Sequence, residues 1–112
     1  MAPHIAQYDW LAPWKAVEES DADLADELAR EAPPGHCLFG IAAVPLAMNT
    51  APNSYDDFLF GVDLPDHKFA LVHFTWAKET NPKFPFTALF RDWDHFCADA
   101  MIPDHEKHLL DQ

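Results

Sequence analysis

Apolar residues recur along this chain with two different periods. At 57–64, DFLFGVDL sets Phe58, Phe60 and Val62 on one side and Leu59 on the other, the alternation of a strand. FALVHFTW at 69–76 alternates as well, and the short LPDHK link makes it the antiparallel hairpin partner of the first run. Upstream, HCLFGIAAVPLAMNT at 36–50 is apolar and partly alternating, but Pro45 has no N–H to give a central ladder. That strand is expected at a sheet edge or with a bulge near Pro45. After TAPNSYD, a turn, and AKETNPKFP, a proline-punctuated loop, FTALF reads as a last short strand.

The helical period appears at the two ends. Residues 1–12 read as a lead-in, and Pro13 suits the first turn of a helix continuing through WKAVEES. Ser20-Asp21-Ala22-Asp23 resembles a fresh N-cap, after which Leu24 and Leu28 stand four apart until Pro33-Pro34-Gly35 ends the segment. This is one kinked helix or two short ones. Near the other end Asp92 caps a helix carrying Trp93, Phe96, Cys97, Ala100 and Met101 at 3.6 spacing. Pro103 is expected to break it and to leave 104–112 as a frayed tail. The order predicts one α+β domain over 1–112, with an antiparallel sheet of about four strands and terminal helices packed on one face.

Alternation also places the polar residues of FALVHFTW. Phe69, Leu71, His73 and Thr75 face one way, and Ala70, Val72, Phe74 and Trp76 the other, so the strand is central. His73 falls near its end, which favours a hydrogen-bonded or rim histidine over a catalytic one.

Composition narrows the function classes. With 112 residues, 49% hydrophobic and 13% aromatic, the chain buries a core in spite of a net charge of -12. That field repels nucleic acid and anionic membrane and attracts basic partners. Cys37 and Cys97 lie far apart in apolar settings, as reduced thiols of a cytoplasmic protein do. The first residues lack the basic and apolar regions of a secretory signal, and no apolar run reaches the length of a membrane span.

Candidate chemistry is sparse. Seven histidines (His4, His36, His67, His73, His95, His105, His108) form no zinc spacing, so no metal and no cofactor are expected. Ser20 and Ser54 suit a cap and a turn, and a Cys97 couple with His73 or His95 lacks the electropositive setting of a reactive thiol. The glycines are too dispersed for a phosphate loop. Asp56 and Asp57 suit a strand entry, and Asp92 and Asp94 a helix start. The unusual feature is the run Glu18, Glu19, Asp21, Asp23, Asp26, Glu27 and Glu31, countered only by Arg30. With Leu24 and Leu28 inward, Glu19, Asp23, Asp26 and Glu27 spread over the solvent arc, either a solubility device or a docking surface.

The stretches PPGHCLFG, DDFLFGVDL and VHFTWAKETNPKFPFT, followed by a short helix and MIPD, resemble small acidic bacterial proteins of the toxin-immunity type. The resemblance implies a non-catalytic inhibitor that blocks the active groove of a basic, nuclease-like toxin, and carries over no catalytic residue. The expected contact residues are Glu19, Asp23, Asp26 and Glu27, with Asp56 and Asp57 as a second patch. The rival expectation is a small enzyme or ligand-binding protein with a pocket around His73, Thr75 and Trp76. A homodimer through exposed aromatics is a third.

Overall fold

A computed structural model of the chain describes residues 8–18, 23–52 and 54–110. Its strands are β1 Trp14–Ala16, β2 Ala43–Asn49, β3 Asp57–Val62, β4 Phe69–His73 and β5 Phe86–Phe90. They form one antiparallel meander, β1-β2-β3-β4-β5, in which every neighbour in space is a neighbour in sequence. The α+β class expected from the residues is therefore present, with five strands in place of about four.

The additional strand is β1, which lies where a helix was expected. Tertiary contacts outweigh local preference there. Trp14 is 2% exposed and sets its ring edge-on to Phe96 at 5.4 Å. Its indole N–H donates to Asp104 at 2.9 Å. Pro13 sits just before this edge strand, where a missing N–H leaves no gap in the ladder, and its carbonyl accepts from the Thr50 N–H and hydroxyl. The helix α1 occupies Leu24–Glu31, with Asp23 at its N-cap making no side-chain cap bond. The expected cap residues Ser20, Asp21 and Ala22 lie outside the described residues.

β2 carries the bulge expected near Pro45, as a register shift between Pro45 and Ala47. It is not an edge, because β1 pairs along its other side. The alternation in β3 and β4 holds residue by residue through His73. Phe58, Phe60, Val62, Ala70 and Val72 pack with Leu24 and Leu28 of α1. Leu59 and Phe69 pack with Phe96 and Met101 on the other face. The helices thus cover opposite faces, correcting the expectation of one face. A sheet with large apolar groups on both sides needs both covered.

The C-terminal run begins at α2 Trp93–Phe96, where the Asp92 carboxylate accepts from the His95 N–H at 2.8 Å, as its cap position requires. It passes through a π-helical turn, Cys97–Met101, into α3 Ile102–Leu110. The expected break at Pro103 does not occur. In the wide turn the Ile102 N–H bonds the Cys97 carbonyl, five residues back, so the ladder is already shifted where the proline enters. α3 buries none of its residues, yet it is tied to the N-terminal segment by Trp14 to Asp104 and by the His105 Nδ1 bond to the Ala12 carbonyl at 2.6 Å. Among the described residues no helix is long and apolar enough to cross a membrane.

Candidate functional site

The centre of the site is a residue that reading for exposed charge passed over. Glu31 closes α1 and is 0% exposed. Its Oε1 accepts from the Thr75 N–H at 2.8 Å and the Thr75 hydroxyl at 3.1 Å, and its Oε2 from the Trp76 N–H at 3.0 Å. Two successive N–H groups thus cradle one carboxyl, the nest geometry suited to an anion. Burial nevertheless pushes Glu31 up to about 7, with a hydrogen bond to Glu27 adding to the rise. Glu27 moves the other way, held below its usual value by that same bond and then by Arg30. The two carboxyls lie one helical turn apart, and Glu31 holds a proton more readily than Glu27 does.

A sequence signal for Glu31 existed. It stands seven residues after Leu24 and three after Leu28, on the apolar stripe of the helix. An acid at that register must find a partner inside.

The carboxyl holds Trp76 in a conformation that bulky residues avoid. Trp76 has φ of 59°, in the left-handed region, where a side chain costs about 1–2 kcal/mol. Its ring is fixed as well as its backbone. The indole N–H donates to Asp56 at 2.7 Å, and the ring packs against Phe74 at 5.0 Å and edge-on to Phe58 at 6.1 Å. With these constraints Trp76 remains 49% exposed. It is a large amphipathic side chain immobilised at the surface.

At the same end of the sheet, His73 and Asp57 are cross-strand partners whose Nδ1 and Oδ1 lie 2.6 Å apart. The carboxylate fixes the proton on Nδ1 and leaves Nε2 open at the surface. Thr75, expected on the same side as His73, belongs elsewhere. β4 ends at His73, and the turn at Trp76 delivers the Thr75 hydroxyl to Glu31 of α1, on the opposite face. The structure therefore separates Thr75 from His73, and joins Asp56 to Trp76 and Asp57 to His73. Two residue sets that the sequence offered to rival functions meet at one end of the sheet.

The helical acids divide. Asp23 and Asp26 are exposed, whereas Glu27 is half-buried and ion-paired with Arg30 at 2.6 Å. Glu19 lies outside the described residues. Three further histidines, His36, His95 and His105, have structural partners. His36 is buried, accepting from the Leu38 N–H and donating to the Pro85 carbonyl at 2.8 Å. His95 accepts from the Arg91 N–H and bonds Asp99, so neither nitrogen serves Cys97. Burial, with Asp94 adding to it, pushes the Cys97 thiol up, away from the reactive thiolate. Among the described residues no group of three His, Cys, Asp or Glu is placed to hold a metal ion.

Comparison with protein-family models, with curated proteins and with solved structures finds no match for this chain.

Proposed function

We propose that this chain is a non-catalytic binding protein that docks on a basic protein surface through Trp76 and the acids around it. The observation that carries this reading is the Trp76 arrangement. A tryptophan held by Glu31 at its backbone and by Asp56 at its ring, yet half exposed, loses little freedom when a partner covers it. Asp56 holds its indole N–H, and Asp57, the next residue, pairs with His73 at the same end of the sheet. α1 leads from it to Asp23 and Asp26 over about 12 Å of helix. The surplus of carboxylates speeds encounter with a cationic surface, and the rigid ring supplies the desolvated contact. The finer proposal is an immunity-type inhibitor in the cytoplasm, which seats these groups in the phosphate-binding groove of a nuclease-like toxin.

The test is a titration against the product of the neighbouring reading frame at low and high salt. Binding weakens with salt, falls at least tenfold in Asp23→Lys/Asp26→Lys, and falls further in Trp76→Ala. No binding, or binding indifferent to these changes, removes the proposal.

A second reading rests on His73. An imidazole oriented by a carboxylate with its other nitrogen open is the arrangement of a general base or a ligand contact. Among the described residues no third polar side chain is hydrogen-bonded to that pair, which is why docking ranks first. Saturable binding of a small molecule, lost in His73→Ala and retained in Asp23→Lys/Asp26→Lys, would reverse the order.

A further inference from the structure

The meander ends in β5, and the direction of its hydrogen bonds follows from the ladder beside it. Val62 N–H donates to the Lys68 carbonyl and Phe74 N–H to the Asp56 carbonyl, each at 2.9 Å. Residues of β4 with even numbers therefore bond β3, and Phe69, Leu71 and His73 turn toward β5. Their partners Phe90, Ala88 and Phe86 turn inward in reply, which leaves the N–H and C=O of Thr87 and Leu89 pointing out of the sheet. Both ends of this row are closed. The Pro85 carbonyl accepts from His36 and from the Thr87 hydroxyl, and the Arg91 N–H donates to His95. Between these closures no other described residue bonds the backbone N–H or C=O of Thr87 or Leu89.

Edges left in monomers are normally blunted by lysine, proline or a bulge within the strand. β5 reads Phe-Thr-Ala-Leu-Phe, with none of these. We propose that β5 pairs with β5 of a second copy of this chain, antiparallel about a two-fold axis at Ala88. In that register Thr87 faces Leu89 of the second copy, and the reverse, so every open backbone group of the row is used in an isologous contact. Phe86, 67% exposed, comes opposite Phe90 of the second copy, and the small Ala88 residues leave room at the axis.

Charge decides for a like partner over a basic one. Of 19 acids only Glu79 lies between His67 and Arg91, whereas four of the seven basic residues do: Lys68, Lys78, Lys83 and Arg91. A chain of net charge -12 has its least acidic stretch here, where two copies meet with least repulsion. Antiparallel pairing also brings Lys83, before the strand, toward Asp92 and Asp94, after it, on the second copy.

Sedimentation velocity over a range of concentrations, with amide hydrogen exchange, tests the pairing. The expected result is a dimer in which the Thr87 and Leu89 amides are protected. Thr87→Pro removes an outward N–H and leaves the bonds to β4 intact, and is expected to weaken association about tenfold to a hundredfold. Ala88→Lys sets two ammonium groups together at the axis and has the same effect by a different route. Each variant is expected to keep the far-UV circular dichroism of the parent monomer. A wild-type chain that stays monomeric overturns the proposal. So does a dimer that survives both substitutions, or one whose Thr87 and Leu89 amides exchange as freely as those of an unfolded chain.

Discussion

Replacing Glu31 separates its hydrogen-bonding role from its charge. In Glu31→Ala the Thr75 N–H, Thr75 hydroxyl and Trp76 N–H all lose their acceptor, in a place that admits no solvent to Glu31. At about 1 kcal/mol for each lost bond, with a small cavity added, the change destabilises the fold by about 3 kcal/mol. Glu31→Gln behaves differently, because the amide oxygen keeps the two Thr75 bonds while the NH2 group, which can donate to Glu27, no longer accepts from the Trp76 N–H. In charge it imitates the protonated acid. The folded Glu31 holds its proton up to about 7, against an ordinary value of 4.5, so the folded state binds more protons between those limits. Its contribution is greatest at the acid end of that window and is lost as pH rises through 7. The full shift corresponds to about 3 kcal/mol. Glu27, whose value is lowered, has the opposite dependence, and its contribution is lost only as pH falls below its ordinary value of 4.5. Urea unfolding at pH 5, 6, 7 and 8 reads this directly. The variant Glu31→Gln should lie about 1 kcal/mol below the parent near pH 5, for the lost Trp76 bond, and gain about 3 kcal/mol on it by pH 8. A constant penalty for Glu31→Gln across the range, or a harmless Glu31→Ala, would show that the carboxyl is an ordinary anion or does not hold the turn.

Other substitutions probe the remaining links. Phe96→Ala empties a fully buried site between Trp14 and Phe90 and should lower stability by about 3–5 kcal/mol in urea titration. Trp76→Gly relieves the left-handed backbone while removing the ring; it should remain folded in circular dichroism and lose partner binding. Asp92→Ala removes the cap of α2, for a loss of about 1 kcal/mol in the same assay. His73→Ala breaks a largely exposed pair and should shift stability by less than about 1 kcal/mol.

Much of this fold was legible because burial on both faces leaves a periodic trace. The alternation of Phe58, Leu59 and Phe60 assigned sides that the two cores confirm, and Pro45 announced its bulge. Three features were hidden. Trp14–Ala16 is too short to show a period, and its strand depends on Asp104 and Phe96, far along the chain. Pro103 is read locally as a terminator, but a π turn is a property of the ladder and leaves no residue signature. Opposite placement of the helices follows only once strand order is known. At the candidate site the residue types were visible and their grouping was not. Asp56, Asp57, His73 and Trp76 come together through the β3–β4 register, and the left-handed turn at Trp76 removes Thr75 from the side that alternation gave it. Glu31 was legible from its position on the Leu24 and Leu28 stripe, and escaped because acids were sorted by charge before register.

The consecutive order of the strands bears on how quickly the chain finds its shape. The β2–β3, β3–β4 and β4–β5 pairings join neighbouring hairpins with short closures, so the sheet should nucleate around β3 and β4 and grow outward. The Trp14 to Asp104 bond spans 90 residues and brings no early gain, so it should form after the barrier. Removing it should accelerate unfolding and leave the refolding rate nearly unchanged.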